Sequence, residues 1–198
     1  MSISPSLQLL SHRCATTVAT AAVSTVLLAA PAEALTPQLA AAASVSCQAG
    51  GQASFSPGLL PIPAPRDTNV QYRGQDRSCT GVTPGGSEIA TARFNGSFNA
   101  PMSCVVGGGD VPTPGSGTIE WKTTNGKTLR STLSITISGQ MFNEATVDGS
   151  VTDGAYVGAQ VHGKFRVDLF KEGVNCAAQS FFGGLKSAPF DGSFTING

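Results

Sequence analysis

Few side chains in this sequence could carry acid–base, nucleophilic or metal chemistry, and their spacing narrows the choice further. The chain has two histidines and five cysteines. His12 and Cys14 lie in an N-terminal stretch that reads as an export leader. The remaining imidazole, His162, alternates with Gln160, Lys164 and Arg166 on one strand face. Neighbouring cations disfavour the charged imidazole and do not orient it as a base. The expected role is an exposed strand histidine, with a surface contact as its functional alternative. Of Glu120, Glu144, Asp148, Asp153 and Asp168, most fall at outward positions or in turns, where acids serve solubility. They single out no pair for a two-carboxylate hydrolase. The nucleophile elbow G-x-S-x-G does not occur, and no acidic run has EF-hand calcium spacing. No catalytic residue, metal or cofactor is expected.

Cys47, Cys79, Cys104 and Cys176 contain no C-x-x-C pair, and His162 is remote from all of them in sequence. An even set of this kind reads as two disulfides rather than a zinc site. Four cysteines allow three pairings. Cys47 and Cys79 are symmetric about Pro63, so a hairpin turning within 61–65 brings them face to face. That favours Cys47–Cys79 and leaves Cys104–Cys176. Trp121 shares a face with Ile119 and is read as a packing centre, with ligand anchoring as the alternative. Phe181 and Phe182 adjoin each other in a Gly-flanked stretch, so one can pack inward while the other marks a partner surface.

These residues need a scaffold, and composition limits what it can be. Only 12% of the 198 residues are charged and the net charge is zero. Without a basic face the chain cannot displace counterions from nucleic acid. Without abundant Glu and Lys it is not a helical rod. Residues 15–30 are apolar or small and uncharged, and Ala32-Glu33-Ala34 offers small residues where a signal peptidase reads. The expectation is a secretory signal over 1–34, a flexible Ala-rich segment over 35–44, and one β domain over 45–198. No later stretch reads as a membrane span.

Period-two alternation recurs through that domain. It predicts strands near 45–56 and 68–78, then a series built on Ile89–Phe98, Ile119–Trp121, Leu133–Ile137, Ala145–Val151, Val157–Leu169 and Phe190–Ile196. Ala90, Ala92, Gly96, Ala159 and Gly163 are expected to point inward. They would give either closely packed walls or space for a ligand. Asn125-Gly126 signals a two-residue hairpin, and Asp153-Gly154 a second turn. Pro112 and Pro114 belong to an expected surface loop, as do Gly183, Gly184 and Pro189. The pattern apolar, Asn/Asp, Gly, Ser, apolar occurs at 94–98, 147–151 and 190–194. It reads as strand grammar, with tight turns that would split the strands as the alternative. About eight antiparallel strands with little helix imply an all-β fold, a β-sandwich or an up-and-down β-barrel.

The order of Phe55-Ser56-Pro57-Gly58-Leu59, Ser78-Cys79-Thr80-Gly81, Gly115-Ser116-Gly117-Thr118-Ile119-Glu120-Trp121 with Asn125-Gly126, and Gly149-Ser150-Val151-Thr152 resembles a group of small secreted actinobacterial proteins. These have a signal peptide, four cysteines and a Gly/Thr/Ser-rich β body. The resemblance covers most of the chain after the leader. It implies secretion and a β fold, and it transfers no catalytic residue. The reading that follows is a secreted, non-enzymatic binding or envelope-associated structural module with an extracellular or cell-envelope partner. A protease inhibitor presenting 57–67 or 105–116 is the alternative, and a secreted hydrolase has less support.

Overall fold

The computed structural model describes residues 43–61, 65–104, 111–140, 144–169, 176–179 and 183–198. The expected leader and most of the Ala-rich segment lie outside these residues, and Ser44 already opens the first strand. The strands are β1 (Ser44–Leu59), β2 (Arg66–Gly81), β3 (Ile89–Met102), β4 (Thr113–Thr123), β5 (Thr128–Gln140), β6 (Glu144–Gly154), β7 (Gln160–Val167) and β8 (Leu185–Asn197). One helical turn, α1 (Cys176–Gln179), stands between β7 and β8. Each strand pairs antiparallel with the next, and β8 returns to β1, so the sheet is a closed up-and-down barrel. Closure leaves no strand edge unpaired. It decides between the sandwich and the barrel that alternation alone left open.

The alternation has its expected cause. Val45, Cys47 and Ala53 on β1, Ile119 and Trp121 on β4, and Leu133, Ile135 and Ile137 on β5 point inward and are buried. Thr, Ser, Asn, Gln and charged residues between them face out. The outside is therefore polar and the inside apolar, the reverse of a lipid-spanning barrel, whose outer band is apolar. Among the described residues, no helix is long and apolar enough to cross a membrane.

Two bulges shift the inward set. Between β1 and β2 the register passes from Gln48↔Ser78 to Ala49↔Asp76, which leaves Arg77 as the extra residue. Asp76 uses its carboxylate to accept the Ala92 N–H at 2.7 Å beside this irregularity. Between β3 and β4 the register skips Ala90. Ala90 is therefore exposed rather than inward, and Ile89 takes the buried position. A bulge inserts one residue and reverses the parity beyond it.

Other expectations change at strand ends. Val157 is 66% exposed in the turn after β6 and does not join the inward row. Asn125-Gly126 closes a three-residue loop, with Gly126 at φ 82° and the Gly126 N–H donated to the Thr123 carbonyl at 2.9 Å. This is a type I turn followed by a left-handed residue, which glycine adopts readily. Pro114 is paired with Thr136 inside β4, and Pro189 with Gln52 inside β8, rather than lying in loops. Pro189 is tolerated because its carbonyl side faces Asp168, just past the end of β7, where little of the ladder remains. The three repeated pentapeptides run through β3, β6 and β8 without turning.

The barrel has two unlike ends. At the end where β1 begins, Trp121 is fully buried and its indole donates to Ser131 Oγ at 2.9 Å. Ser131 in turn donates to the Ala155 carbonyl at 2.6 Å. Tyr156 packs on Trp121 with ring centroids 5.4 Å apart, and its hydroxyl donates to the Val82 carbonyl at 2.9 Å. The Cys47–Cys79 disulfide staples β1 to β2 at this end, across a directly opposed pair with Cα atoms 4.1 Å apart. At the other end, Cys104 and Cys176 are bridged, with Cα atoms 6.1 Å apart. Both sulfurs lie against the Leu59 carbonyl, at 3.6 and 3.7 Å. The two bridges match the favoured pairing.

Candidate functional site

The interior above the Trp121 plug is not completely filled. An eight-stranded barrel is just wide enough for its side chains to fill it, or to leave room for one small ligand. Here the inward aromatic rings repeatedly stand opposite glycine across a strand pair. Tyr72 faces Gly96, Phe94 faces Gly74, Phe190 faces Gly51, Phe165 faces Gly192 and Phe194 faces Gly163. A ring opposite glycine can lie down on the neighbouring backbone instead of projecting to the axis. Tyr72 shows this most clearly. Its ring crosses Gly96 and Gly117, and its hydroxyl donates to the Ser116 carbonyl at 3.2 Å. Burial pushes the Tyr72 phenol up to about 12, since removal from water disfavours the phenolate.

Beside these rings a cavity of about 150 Å³ remains inside the barrel. One side of its wall is aromatic. Phe94 has its ring centroid 6.3 Å from Phe165, 6.1 Å from Phe190 and 5.8 Å from Phe194. The facing wall is aliphatic and comes from Ile119, Leu133, Ile135, Ile137 and Val147. Half-buried Met102 and Val167 and exposed Glu144 also line the cavity, toward the end carrying Cys104–Cys176. Several polar groups near its walls already have partners, among them the Thr118 hydroxyl, which donates to Asn95 Oδ1 at 3.3 Å. The Thr113 hydroxyl donates to the Val111 carbonyl at 3.3 Å, and the Tyr72 hydroxyl is held as above. The arrangement can bury an uncharged apolar molecule. Among the described residues its lining carries one carboxylate, exposed Glu144, and no histidine or cysteine, and no group of three or more His, Cys, Asp or Glu converges.

The residues singled out from sequence fall in different places. Trp121 lies one register step below Ile119, beneath the cavity floor, and is not part of the lining. His162 is on the outer wall, where Nδ1 lies 2.6 Å from Asp148 Oδ1 on the paired strand β6. Both side chains are more than half exposed, at 53% and 58%. The neighbouring Thr195 hydroxyl contacts the His162 backbone carbonyl rather than its ring. Strand alternation identified the cations on this face but not the carboxylate opposite, which only the β6–β7 register supplies. Phe181 and Phe182 lie outside the described residues. Of the two candidate inhibitory loops, Pro57–Leu59 and Arg66 belong to strand ends, as do 113–116, while 62–64 and 105–110 lie outside the described residues.

The cavity-lining phenylalanines were legible as inward residues but not as a site. The signal is the cross-strand alternation of glycine with aromatic, and it appears only once strands are set in register. Comparison with protein-family models gives no match, and comparison with curated proteins finds no relative.

Proposed function

We propose that this is a secreted binding protein that carries a small apolar molecule inside its barrel. The observation supporting this reading is the cavity of about 150 Å³, walled by Phe94, Phe165, Phe190, Phe194 and the β5 aliphatic row. An apolar cavity of about this size stays dry and accepts a benzene-sized guest. Concave, mostly apolar sites inside barrels are a usual place for small ligands. Secretion is supported by the apolar leader and by two disulfides compatible with an extracellular location. The polar outer wall favours a water-borne carrier, with no lipid-facing band. An extracellular or cell-envelope partner would then deliver or receive the ligand.

Methyl-resolved NMR during titration with benzene tests this reading. Shifts confined to Ile119, Leu133, Ile135 and Ile137 are expected, saturating at millimolar ligand or below. No shift at saturating benzene, or shifts only at outer-wall residues, would overturn it.

A further inference from the structure

One inward polar group stands beside the aromatic wall of the cavity and narrows the ligand class, a step that rests on the carrier reading above. We propose that the ligand is a small aromatic molecule carrying one hydrogen-bond donor, a phenol in its simplest form, with its ring against the phenylalanine wall and its hydroxyl donated to Tyr72 Oη. Among the described residues, the polar side chains of the lining are those of Tyr72, Asn95, Thr113, Thr118 and Glu144. Asn95 and Thr118 alternate with inward Phe94 and Ile119, so their side chains belong to the outer wall, where they bond each other. Glu144 shares the outward face of β6 with Asp148 and is exposed. The inward hydroxyls are those of Thr113 and Tyr72. Thr113 stands at the Ile137 step of the β4–β5 ladder, toward the Cys104–Cys176 end, and donates to Val111. Tyr72 adjoins the aromatic wall, with its ring centroid 6.5 Å from that of Phe94.

The backbone sets the position of Oη. Tyr72 pairs with Gly96, and Gly96 with Gly117. These glycines share the inward face with Phe94 and Ile119, and a Cβ on either would fall on the Tyr72 hydroxyl. The oxygen therefore lies on the inner wall, over β3 and β4. Its proton is donated to the Ser116 carbonyl. A hydroxyl has one donor and two acceptor lone pairs. With the donor committed, Oη has only acceptance left to offer, and its complement is a donor on the ligand. An ether oxygen finds no partner there, and a charged head loses its water with no opposite charge to meet it. The wall selects the rest of the molecule. Phe94 keeps its centroid 5.8–6.3 Å from Phe165, Phe190 and Phe194 at tilted or edge-on angles, the arrangement that aromatic rings favour among themselves. A guest ring extends that pattern.

NMR titration of the full protein and of Tyr72→Phe with phenol, anisole and toluene tests the donor. The variant keeps the ring and removes the acceptor. Phenol affinity should fall roughly three- to tenfold in it, the worth of one hydrogen bond. Anisole and toluene, which cannot donate, should change less than about twofold. A second measurement needs no variant. The chain has two tyrosines, so labelling at Cζ gives one signal in the cavity and one at the plug. Phenol should move the Tyr72 signal further than toluene does and leave Tyr156 still, because its hydroxyl is held by Val82. Equal losses for all three ligands, an anisole loss matching that of phenol, no loss for phenol, or equal Tyr72 shifts with phenol and toluene would each overturn the inference. If benzene binds as described above while any of these occurs, the carrier reading stands and the donor reading falls. If nothing binds, both fall.

Discussion

At the residue scale, three hydroxyls carry more than their size suggests. Ser131 accepts from the Trp121 indole and donates to the Ala155 carbonyl, so one oxygen satisfies two groups where β4, β5 and the β6–β7 turn meet. Ser131→Ala removes both bonds and leaves a buried N–H alone, which should cost about 1–3 kcal/mol. Urea unfolding followed by Trp121 fluorescence measures it, and a loss below about 0.5 kcal/mol would show that water replaces the hydroxyl. The tyrosines set an alkaline limit. Burial raises both Tyr72 and Tyr156 to about 12, above the ordinary value of 10.0. The folded protein therefore holds these protons more tightly than the unfolded chain does between the two values. The resulting stability is complete below pH 10 and is lost as pH rises toward about 12. Stability measured against pH should decline across that window, and Tyr72→Phe should flatten the decline. An unchanged slope in the variant would show that other groups govern it.

At the scale of the element, the strands were readable and their parity was not always so. Period-two alternation located all eight strands because each has one dry and one wet face. It failed at Ala90 and Val157, for different reasons. Ala90 is bulged out of the β3–β4 ladder, and an alanine gives no signal of which side it occupies. Val157 is apolar but sits in a turn set by Gly154 and Gly158, both with positive φ. The cavity was invisible because it depends on register, on which glycine each ring lies over. That dependence makes the glycines testable. A Cβ at Gly96 would fall inside contact distance of the Ser116 carbonyl and the Tyr72 hydroxyl, within a fixed strand pair. Gly96→Ala should therefore cost about 2–3 kcal/mol or more by overpacking. At Gly126 a Cβ meets nothing within 4 Å, and only the φ of +82° resists it, so Gly126→Ala should cost about 1–2 kcal/mol. Denaturant midpoints of the two variants test this order, and a larger loss at Gly126 would refute the close-packing account of Gly96.

Across the whole molecule, the two disulfides constrain the chain unequally. Cys47–Cys79 spans 32 residues and Cys104–Cys176 spans 72. By chain entropy alone the first contributes roughly 3–4 kcal/mol and the second roughly 4–5 kcal/mol. The shorter bridge joins residues that the β1–β2 hairpin already places opposite each other, whereas the longer one ties α1 across four strands to the end of β3. Paired Cys→Ala substitutions should therefore destabilise more for Cys104/Cys176 than for Cys47/Cys79, as read from urea unfolding of each variant. The reverse order would mean that the hairpin staple acts mainly on the native wall.

The meeting of the first and last strands has a directional consequence. Gly198 donates its N–H to the Ala43 carbonyl at 3.3 Å, beside the paired Ser44 and Asn197. Both ends of the described domain therefore leave from its plugged base, on the side away from the Cys104–Cys176 bridge. The molecule has a back and a front. If it is tethered to a surface through either terminus, its Cys104–Cys176 end points away from that surface, toward whatever diffuses past.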